Sequence, residues 1–103
     1  MGSDEVVRND GASRFELVHD GQLAGVLKFK LDGDQLALTH TEVSPDFGGR
    51  GFGAQLVSSA LADAQARGES VLPVCPYVRA YLGKHPQWQS LVPVQYRADY
   101  GLA

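Results

Sequence analysis

The sequence predicts an α/β fold, of the kind also described as α+β, built on a mixed sheet. Three observations carry this prediction. Apolar and polar residues alternate with a period of two in consecutive segments between residues 14 and 43, and turn-forming residues separate these segments. A glycine-rich segment then leads into apolar residues at helical spacing. A short apolar run completes a strand, helix, strand unit, whose two strands are expected to be parallel.

The first two predicted strands form a hairpin. Arg14–His19 reads as a short strand, and Asp20-Gly21 is a dipeptide typical of a tight type I′ turn. Residues 22–31 then alternate over their whole length, which is the clearest strand pattern in the chain. These two strands are therefore expected to pair antiparallel.

The third predicted strand, Gln35–Val43, follows a turn at residues 32–34. Its alternation assigns four side chains to one face: Leu36, Leu38, His40 and Glu42. Because short turns join all three strands, they are expected to form a three-stranded antiparallel meander.

Two helices are predicted after the meander. Apolar residues at helical spacing indicate a long amphipathic helix over residues 51–67, with Gly68 as the glycine that ends it. A short buried strand follows at residues 71–75. Pro76 suits the first turn of a second helix, which ends before Pro86. The first helix is thus the crossover connection between the third strand and the parallel fourth one.

The chain has 103 residues, which is the size of one domain. Residues 1–13 are polar and rich in turn formers, so we expect a flexible N-terminal segment there. Residues 14–103 are then expected to form a single domain.

Charge and hydropathy exclude several classes of partner. A formal net charge of −3 does not predict binding to a nucleic-acid backbone. No apolar run is long enough to cross a bilayer, and the N-terminus lacks the pattern of a signal peptide. Cys75 is the single cysteine, so neither a disulfide nor a thiolate metal cluster is expected. We therefore expect a cytoplasmic protein without nucleic acid, membrane or metal partners.

The segment between the third strand and the first helix has four glycines: Gly48, Gly49, Gly51 and Gly53. A helix N-terminus presents unpaired N–H groups and a partial positive charge, so a phosphate can bind these amides, with Arg50 adding a full charge. A sharp turn alone requires one or two glycines, whereas four favour an anion cradle. The absence of a following Gly-Lys-Ser/Thr excludes a nucleoside triphosphate P-loop.

Three sequence blocks, in this order, resemble the GNAT acetyltransferase superfamily. They are His40-Thr41-Glu42-Val43, then Gly49-Arg50-Gly51-Phe52-Gly53, then Cys75-Pro76-Tyr77-Val78 with His85-Pro86. Together they look like the minimal GNAT-like proteins of about a hundred residues, and the resemblance spans roughly residues 14–92. It implies a GNAT-like mixed sheet and the binding of acetyl-CoA.

The resemblance also implies which residues bind the diphosphate of acetyl-CoA. The positions that match are Gly49, Arg50, Gly51, Phe52, Gly53 and Ala54. We add Val43 and Gly48, which belong to the same strand-to-helix connection. Gly48 stands where the superfamily usually has Arg or Gln, so one phosphate contact is expected to be weaker.

Acetyl transfer to an amine requires a general base, a stabiliser for the oxyanion and an acid for the leaving thiolate. His40 and Glu42 point to the same face of one strand and can flank an amine. Cys75 lies near the start of the second helix, whose positive end favours a thiolate. In the resembling family the equivalent His and Cys have been considered catalytic. Tyr81 is a candidate acid for the CoA sulfur.

Each of these residues also has a structural interpretation. His40 can be a hydrogen-bonded sheet residue, Glu42 a solvated one, Cys75 a core filler and Tyr81 a core aromatic. The predicted function is acetyl transfer from acetyl-CoA to an unidentified amine, on a small molecule or a protein lysine. Direct transfer and an acetyl-Cys75 intermediate both remain open. The alternatives are a non-catalytic CoA-binding module of the same fold and a domain for protein contacts.

Overall fold

The computed structural model describes residues 4–102 and contains one five-stranded mixed sheet. Its strands are β1 (Asp4–Asn9), β2 (Arg14–His19), β3 (Gln22–Asp32), β4 (Gln35–Val43) and β5 (Ser70–Pro73). Its helices are α1 (Phe52–Arg67), α2 (Pro76–Lys84) and α3 (Val94–Arg97), with 3₁₀ turns at Pro45–Phe47, Pro86–Leu91 and Ala98–Tyr100. The spatial order of the strands is β1-β2-β3-β4-β5.

The predicted fold class is confirmed, as are the strands that local sequence specifies. β2, β3 and β4 pair antiparallel, and β5 pairs with β4 in parallel after the helical connection. Asp20 and Gly21 have φ values of 49° and 81°, as a type I′ turn requires at its two central residues.

The expectation of a flexible segment at residues 1–13 is wrong for Asp4–Asn9. These residues form β1, which pairs antiparallel with β2 along its whole length, so the meander has four strands. Residues 1–3 lie outside the described part of the chain. The sequence pattern is weak here because β1 is an edge strand on which Val6 is a partly buried residue packed against the core and most other positions are polar.

Arg8 anchors β1 to the rest of the fold. Its side chain is 5% exposed and pairs with Asp10, Asp63 and Glu69 at distances of 2.8–2.9 Å. Its guanidinium also lies 5.0 Å from the centroid of the Phe29 ring. Asp63 belongs to α1 and Glu69 precedes β5, so one side chain connects the first strand to two later elements.

A β-bulge interrupts the pairing of β3 with β4. Lys28 is opposite His40, whereas the next residue of β3, Phe29, is opposite Leu38. Thr39 is therefore an extra residue on β4. An extra residue in one strand changes which side chains point to which face beyond it.

The bulge overturns the predicted face of β4. Leu36 and Leu38 share one face, as predicted, and this face is buried in the core. After the bulge it is Thr41 that continues this face, since its partner across the sheet is the buried Leu27. His40 and Glu42 share a face with each other, as expected, but it is the opposite face of the sheet, and both are exposed.

The first predicted helix is confirmed as α1, which ends at Gly68 in a left-handed conformation. Its apolar side packs across β2, β3 and β4. The buried residues of α1 are Phe52, Leu56, Val57, Ala60, Leu61 and Ala64. Within residues 4–102, no helix is both long and apolar enough to span a bilayer.

The second predicted helix is confirmed as α2, which begins directly after Cys75 and ends at His85. The segment that follows gave no clear sequence pattern. It consists of short helical turns, and Val92 and Leu102 from this segment are buried in the core.

Candidate functional site

A cavity of about 310 Å³ opens where β4 extends beyond β5. The two strands pair only as far as Leu38, whose carbonyl also accepts a hydrogen bond from the Cys75 amide at 2.8 Å. From Thr39 to Val43 that edge of β4 has no strand partner among residues 4–102. The cavity is lined by Thr41, Val43, Phe47, Gly48, Gly49, Gly51, Phe52, Gly53 and Tyr77.

The loop before α1 leaves a row of backbone amides without acceptors. The Gly48 amide bonds to Pro45, and the Gln55 amide makes the first helical bond, to Gly51. Within the described part of the chain, the amides from Gly49 to Ala54 donate no hydrogen bond. No side chain caps α1, and its first turn has no acidic residue. The positive end of α1 is therefore open to an anion.

At three of the four loop glycines, the conformation or packing of the chain explains why glycine is required. Gly49 and Gly51 have φ values of 78° and 74°, which L side chains rarely adopt. A Cβ atom on Gly53 would lie 2.9 Å from the hydroxyl oxygen of Tyr77. Gly48 has an extended conformation and no close neighbour that requires glycine. The count of glycines is thus weaker evidence for an anion site than the free amides are.

Arg50 has a neighbour that the sequence did not reveal. One guanidinium nitrogen, Nη1, lies 3.3 Å from Nε2 of His19, and the guanidinium lies 5.4 Å from the centroid of the Phe47 ring. Among the described residues, Arg50 forms no ion pair with a carboxylate. His19 ends β2, and no local pattern indicates that this strand end adjoins the loop.

Cys75 contacts Thr41, one of the residues that line the cavity. It is 4% exposed, it immediately precedes α2 as predicted, and its Sγ lies 3.4 Å from Oγ1 of Thr41. Burial raises the pKa of the thiol, but the hydrogen bond with Thr41 and the nearby backbone of Val78 and Tyr77 outweigh burial and lower the pKa below its usual range. Thr41 is therefore the side chain that contacts the thiol and helps to lower its pKa.

His40 and Cys75 are not brought together. His40 is exposed on the face that it shares with Lys28, whereas Cys75 contacts Thr41 on the core face. Glu42, on the same face as His40, borders a separate depression of about 200 Å³ that also includes Val43. Val43 thus lines both cavities, one on the loop side and one on the Glu42 side.

Tyr81 is also outside the loop cavity. It lines a third cavity of about 230 Å³, together with Ala54, and its ring centroid lies 4.0 Å from that of His85. Tyr77 lines both this cavity and the loop cavity, so Tyr77 is the tyrosine that borders the free amides. The sequence offered no way to prefer Tyr77, since both tyrosines lie on α2. Residues 4–102 include no cluster of three or more ligands for a metal ion.

Comparison with known proteins gives a family and a fold. A family model described as GCN5-related N-acetyl-transferase matches residues 14–91. A sequence comparison with curated proteins gives no match.

Three solved structures resemble the chain. A GCN5-like putative N-acetyltransferase from Staphylococcus aureus is 19% identical, with a TM-score of 0.66 over 86% of this chain and 87% of that one. The ribosomal-protein-S18-alanine N-acetyltransferase from Escherichia coli is 15% identical, with a TM-score of 0.56 over 69% of this chain and 64% of that one. N-acetylglutamate synthase from Neisseria gonorrhoeae, solved with coenzyme A and N-acetyl-glutamate, is 23% identical, with a TM-score of 0.50 over 86% of this chain and 22% of that one.

This chain therefore spans less than two thirds of the Escherichia coli enzyme and about a fifth of the synthase. At these identities the structural likeness shows a shared fold. The family model adds the sequence evidence, because it covers most of the chain, from β2 to the turn after α2. The chain belongs to the GCN5-related N-acetyltransferase family.

Proposed function

We propose that this protein transfers the acetyl group of acetyl-CoA to an amine. The observation that carries the proposal is the row of free amides from Gly49 to Ala54, together with Arg50, which forms no ion pair with a carboxylate among the described residues. This arrangement fits a diphosphate, because it offers several N–H donors and a cation to one anion. Acetyl-CoA, when bound, supplies the activated acetyl thioester. Gly48, Gly51, Phe52 and Gly53 line the same cavity, and Val43 borders it.

The amine is proposed to approach from the face of the sheet that carries His40 and Glu42. Both side chains are exposed there, next to the strand edge that lacks a partner. A carboxylate attracts an ammonium group, and a neutral imidazole can accept its proton. We assign Glu42 to binding the amine and His40 to deprotonating it. The acceptor is an amine on a small molecule or on a protein lysine.

Direct transfer is proposed in preference to an acetyl-Cys75 intermediate. The Cys75 thiol is 4% exposed and has no imidazole beside it, so it is poorly accessible to a thioester. We propose instead that Cys75 and Thr41 border the reacting end of the cavity. Tyr77 is better situated than Tyr81 to donate a proton to the leaving thiolate, because it lines this cavity.

A non-catalytic CoA-binding module is the second candidate. The separation of His40 from Cys75 favours it, since a module of this kind needs the loop but no paired catalytic groups. The two functions differ in one outcome. The enzyme releases free CoA in the presence of a suitable amine, whereas the module binds CoA and releases none.

The test combines CoA binding with acetyl transfer. Wild type, His40→Ala and Cys75→Ala are compared by thermal shift with CoA and by release of CoA thiol from acetyl-CoA, with a panel of small amines and lysine peptides. We expect all three to bind CoA. Loss of a general base should slow transfer by His40→Ala roughly 100-fold or more.

Binding without transfer by the wild type would support the module, and no binding would contradict both functions. Intact-protein mass spectrometry separates the two routes of transfer. An acetyl adduct that hydroxylamine removes, present in the wild type and absent from Cys75→Ala, would overturn direct transfer.

A further inference from the structure

A chain of contacts connects the first strand to the proposed phosphate-binding loop. Asp4 and His19 are opposite each other in the pairing of β1 with β2, and Oδ1 of Asp4 lies 2.5 Å from Nδ1 of His19. The other ring nitrogen of His19, Nε2, lies 3.3 Å from Nη1 of Arg50. The side chain of His19 is 15% exposed, so it is largely enclosed by its neighbours.

The chemistry of these groups limits the hydrogen bonds that His19 can make. Arginine has N–H donors and no acceptor, so a hydrogen bond between Arg50 and His19 needs Nε2 without a proton, as the acceptor. The proton of the neutral ring is then on Nδ1, which donates to the Asp4 carboxylate. Oδ2 of Asp20 lies 3.4 Å from the same Nε2, from the turn after β2, and a carboxylate oxygen cannot donate to it. In the neutral ring, Arg50 is therefore the donor to Nε2.

Holding Arg50 by a neutral acceptor has an electrostatic consequence. A carboxylate that paired with Arg50 would orient the guanidinium but would also neutralise its charge. The neutral imidazole nitrogen uses one of the five N–H donors of Arg50 and does not itself cancel the positive charge, so the guanidinium can still attract a phosphate.

Aromatic rings complete the arrangement around His19 and Arg50. The His19 ring centroid lies 5.5 Å from that of Phe47 and 5.3 Å from that of Phe52. The Arg50 guanidinium in turn lies 5.4 Å from the Phe47 ring centroid. Phe47, at the end of a 3₁₀ turn, and Phe52, the first residue of α1, thus pack on the imidazole, and Phe47 also supports the guanidinium.

We infer that His19 is a positioning residue for Arg50. It holds the guanidinium at the loop before the ligand arrives, without reducing its charge, so less side-chain freedom is lost on binding. The inference rests on the proposed function, in which Arg50 binds the diphosphate of CoA. It adds a residue from the antiparallel meander, outside the loop, to the cofactor site.

The test is a double-mutant cycle on CoA affinity, measured by calorimetry. His19→Phe keeps a ring against Phe47 and Phe52 but removes the acceptor for Arg50. We expect it to weaken CoA binding about three- to tenfold, the range for leaving one long side chain unordered. His19→Gln, whose amide oxygen can accept from Arg50, should restore most of the affinity. In an Arg50→Ala background, His19→Phe should have no further effect.

Each outcome has one meaning for the inference. Wild-type affinity in His19→Phe, no rescue by His19→Gln, or additive effects with Arg50→Ala would each overturn the positioning role while leaving CoA binding intact. Failure of the wild type to bind CoA would overturn the proposed function and the inference together. Arg67→Ala, at the other end of α1, is the charge-matched control and should bind CoA like the wild type. Melting temperatures measured for every variant identify any that do not fold.

Discussion

At the scale of single residues, Cys75 contacts Thr41, whose side chain belongs to the lining of the loop cavity. The two side chains meet because β4 runs past β5 and because Cys75 ends its own segment directly before α2. The Thr41 hydroxyl is one of the groups that lower the pKa of the thiol against the effect of burial. The ionisation of Cys75 therefore reports on this contact.

We expect Thr41→Val to move the ionisation of Cys75 to higher pH. Valine has nearly the volume of threonine but lacks the hydroxyl whose hydrogen bond lowers the pKa of the thiol. The measurement is the ultraviolet absorbance of the thiolate against pH, taken as the difference from the same protein with Cys75→Ala. Thr39→Val is the matched control, since Thr39 bonds to the Lys28 carbonyl and not to Cys75. Equal midpoints for the wild type and Thr41→Val would contradict this role of the hydroxyl.

The bulge at Thr39 explains why the sequence indicated the site only in part. Alternation correctly assigned Leu36 and Leu38 to one face, but counting by two beyond Leu38 requires an unbroken strand. One extra residue moved His40 to the outer face and Thr41 to the inner one. Nothing in the local sequence marks the bulge, because Thr39 is an ordinary strand residue.

At the scale of elements, the loop before α1 combines left-handed backbone conformations with open space. Gly49 and Gly51 have positive φ, and a Cβ on either would meet no atom within 4 Å. Any effect of alanine there on stability would come from the backbone alone. Gly48 differs, because its φ of −62° suits any residue.

We expect Gly49→Ala to lower the free energy of unfolding by about 1 kcal/mol, because alanine is strained at positive φ. Gly48→Ala, one residue earlier and equally exposed, should change it by less than about 0.5 kcal/mol. Urea unfolding of the two variants measures the difference. A loss of the same size for both would mean that the conformation of Gly49 is not the cause.

The sequence predicted those elements whose determining residues lie within the element itself. The turn at Asp20-Gly21, the amphipathic pattern of α1 and the proline at the start of α2 each lie within the element they define. β1 has no such signal. It is held by Arg8, whose partners Asp63 and Glu69 are more than fifty residues away in sequence.

At the scale of the whole molecule, the ion pairs of Arg8 with Asp63 and Glu69 join β1, α1 and the start of β5. The Arg8 side chain is 5% exposed. Removing its charge from water costs free energy unless neighbouring carboxylates pair with it. Glu69 is 9% exposed and depends on Arg8 in the same way. Removal of Arg8 would leave Glu69 buried without this partner, whereas removal of Glu69 would leave Arg8 paired with Asp10 and Asp63.

We expect Arg8→Met to lower the free energy of unfolding by about 3 kcal/mol, the cost of leaving a buried charge without its partner. Methionine keeps an apolar chain against Phe29, so the loss of stability reports the missing charge and not missing packing. Arg14→Met is the matched control, because Arg14 pairs with Glu16 but is 33% exposed, and it should cost less than about 1 kcal/mol. Urea unfolding measures both. Equal losses would contradict a special role for Arg8.

The spatial order of the strands is the same as their order along the chain. Each strand after β1 therefore pairs with the strand that precedes it in the chain, and only β5 is separated from its partner by a helix. The antiparallel part of the sheet uses contacts between sequence neighbours, which favours rapid folding. Folding can follow the direction of synthesis, but Arg8 gains its partners Asp63 and Glu69 only after α1 and the residue before β5 have been made.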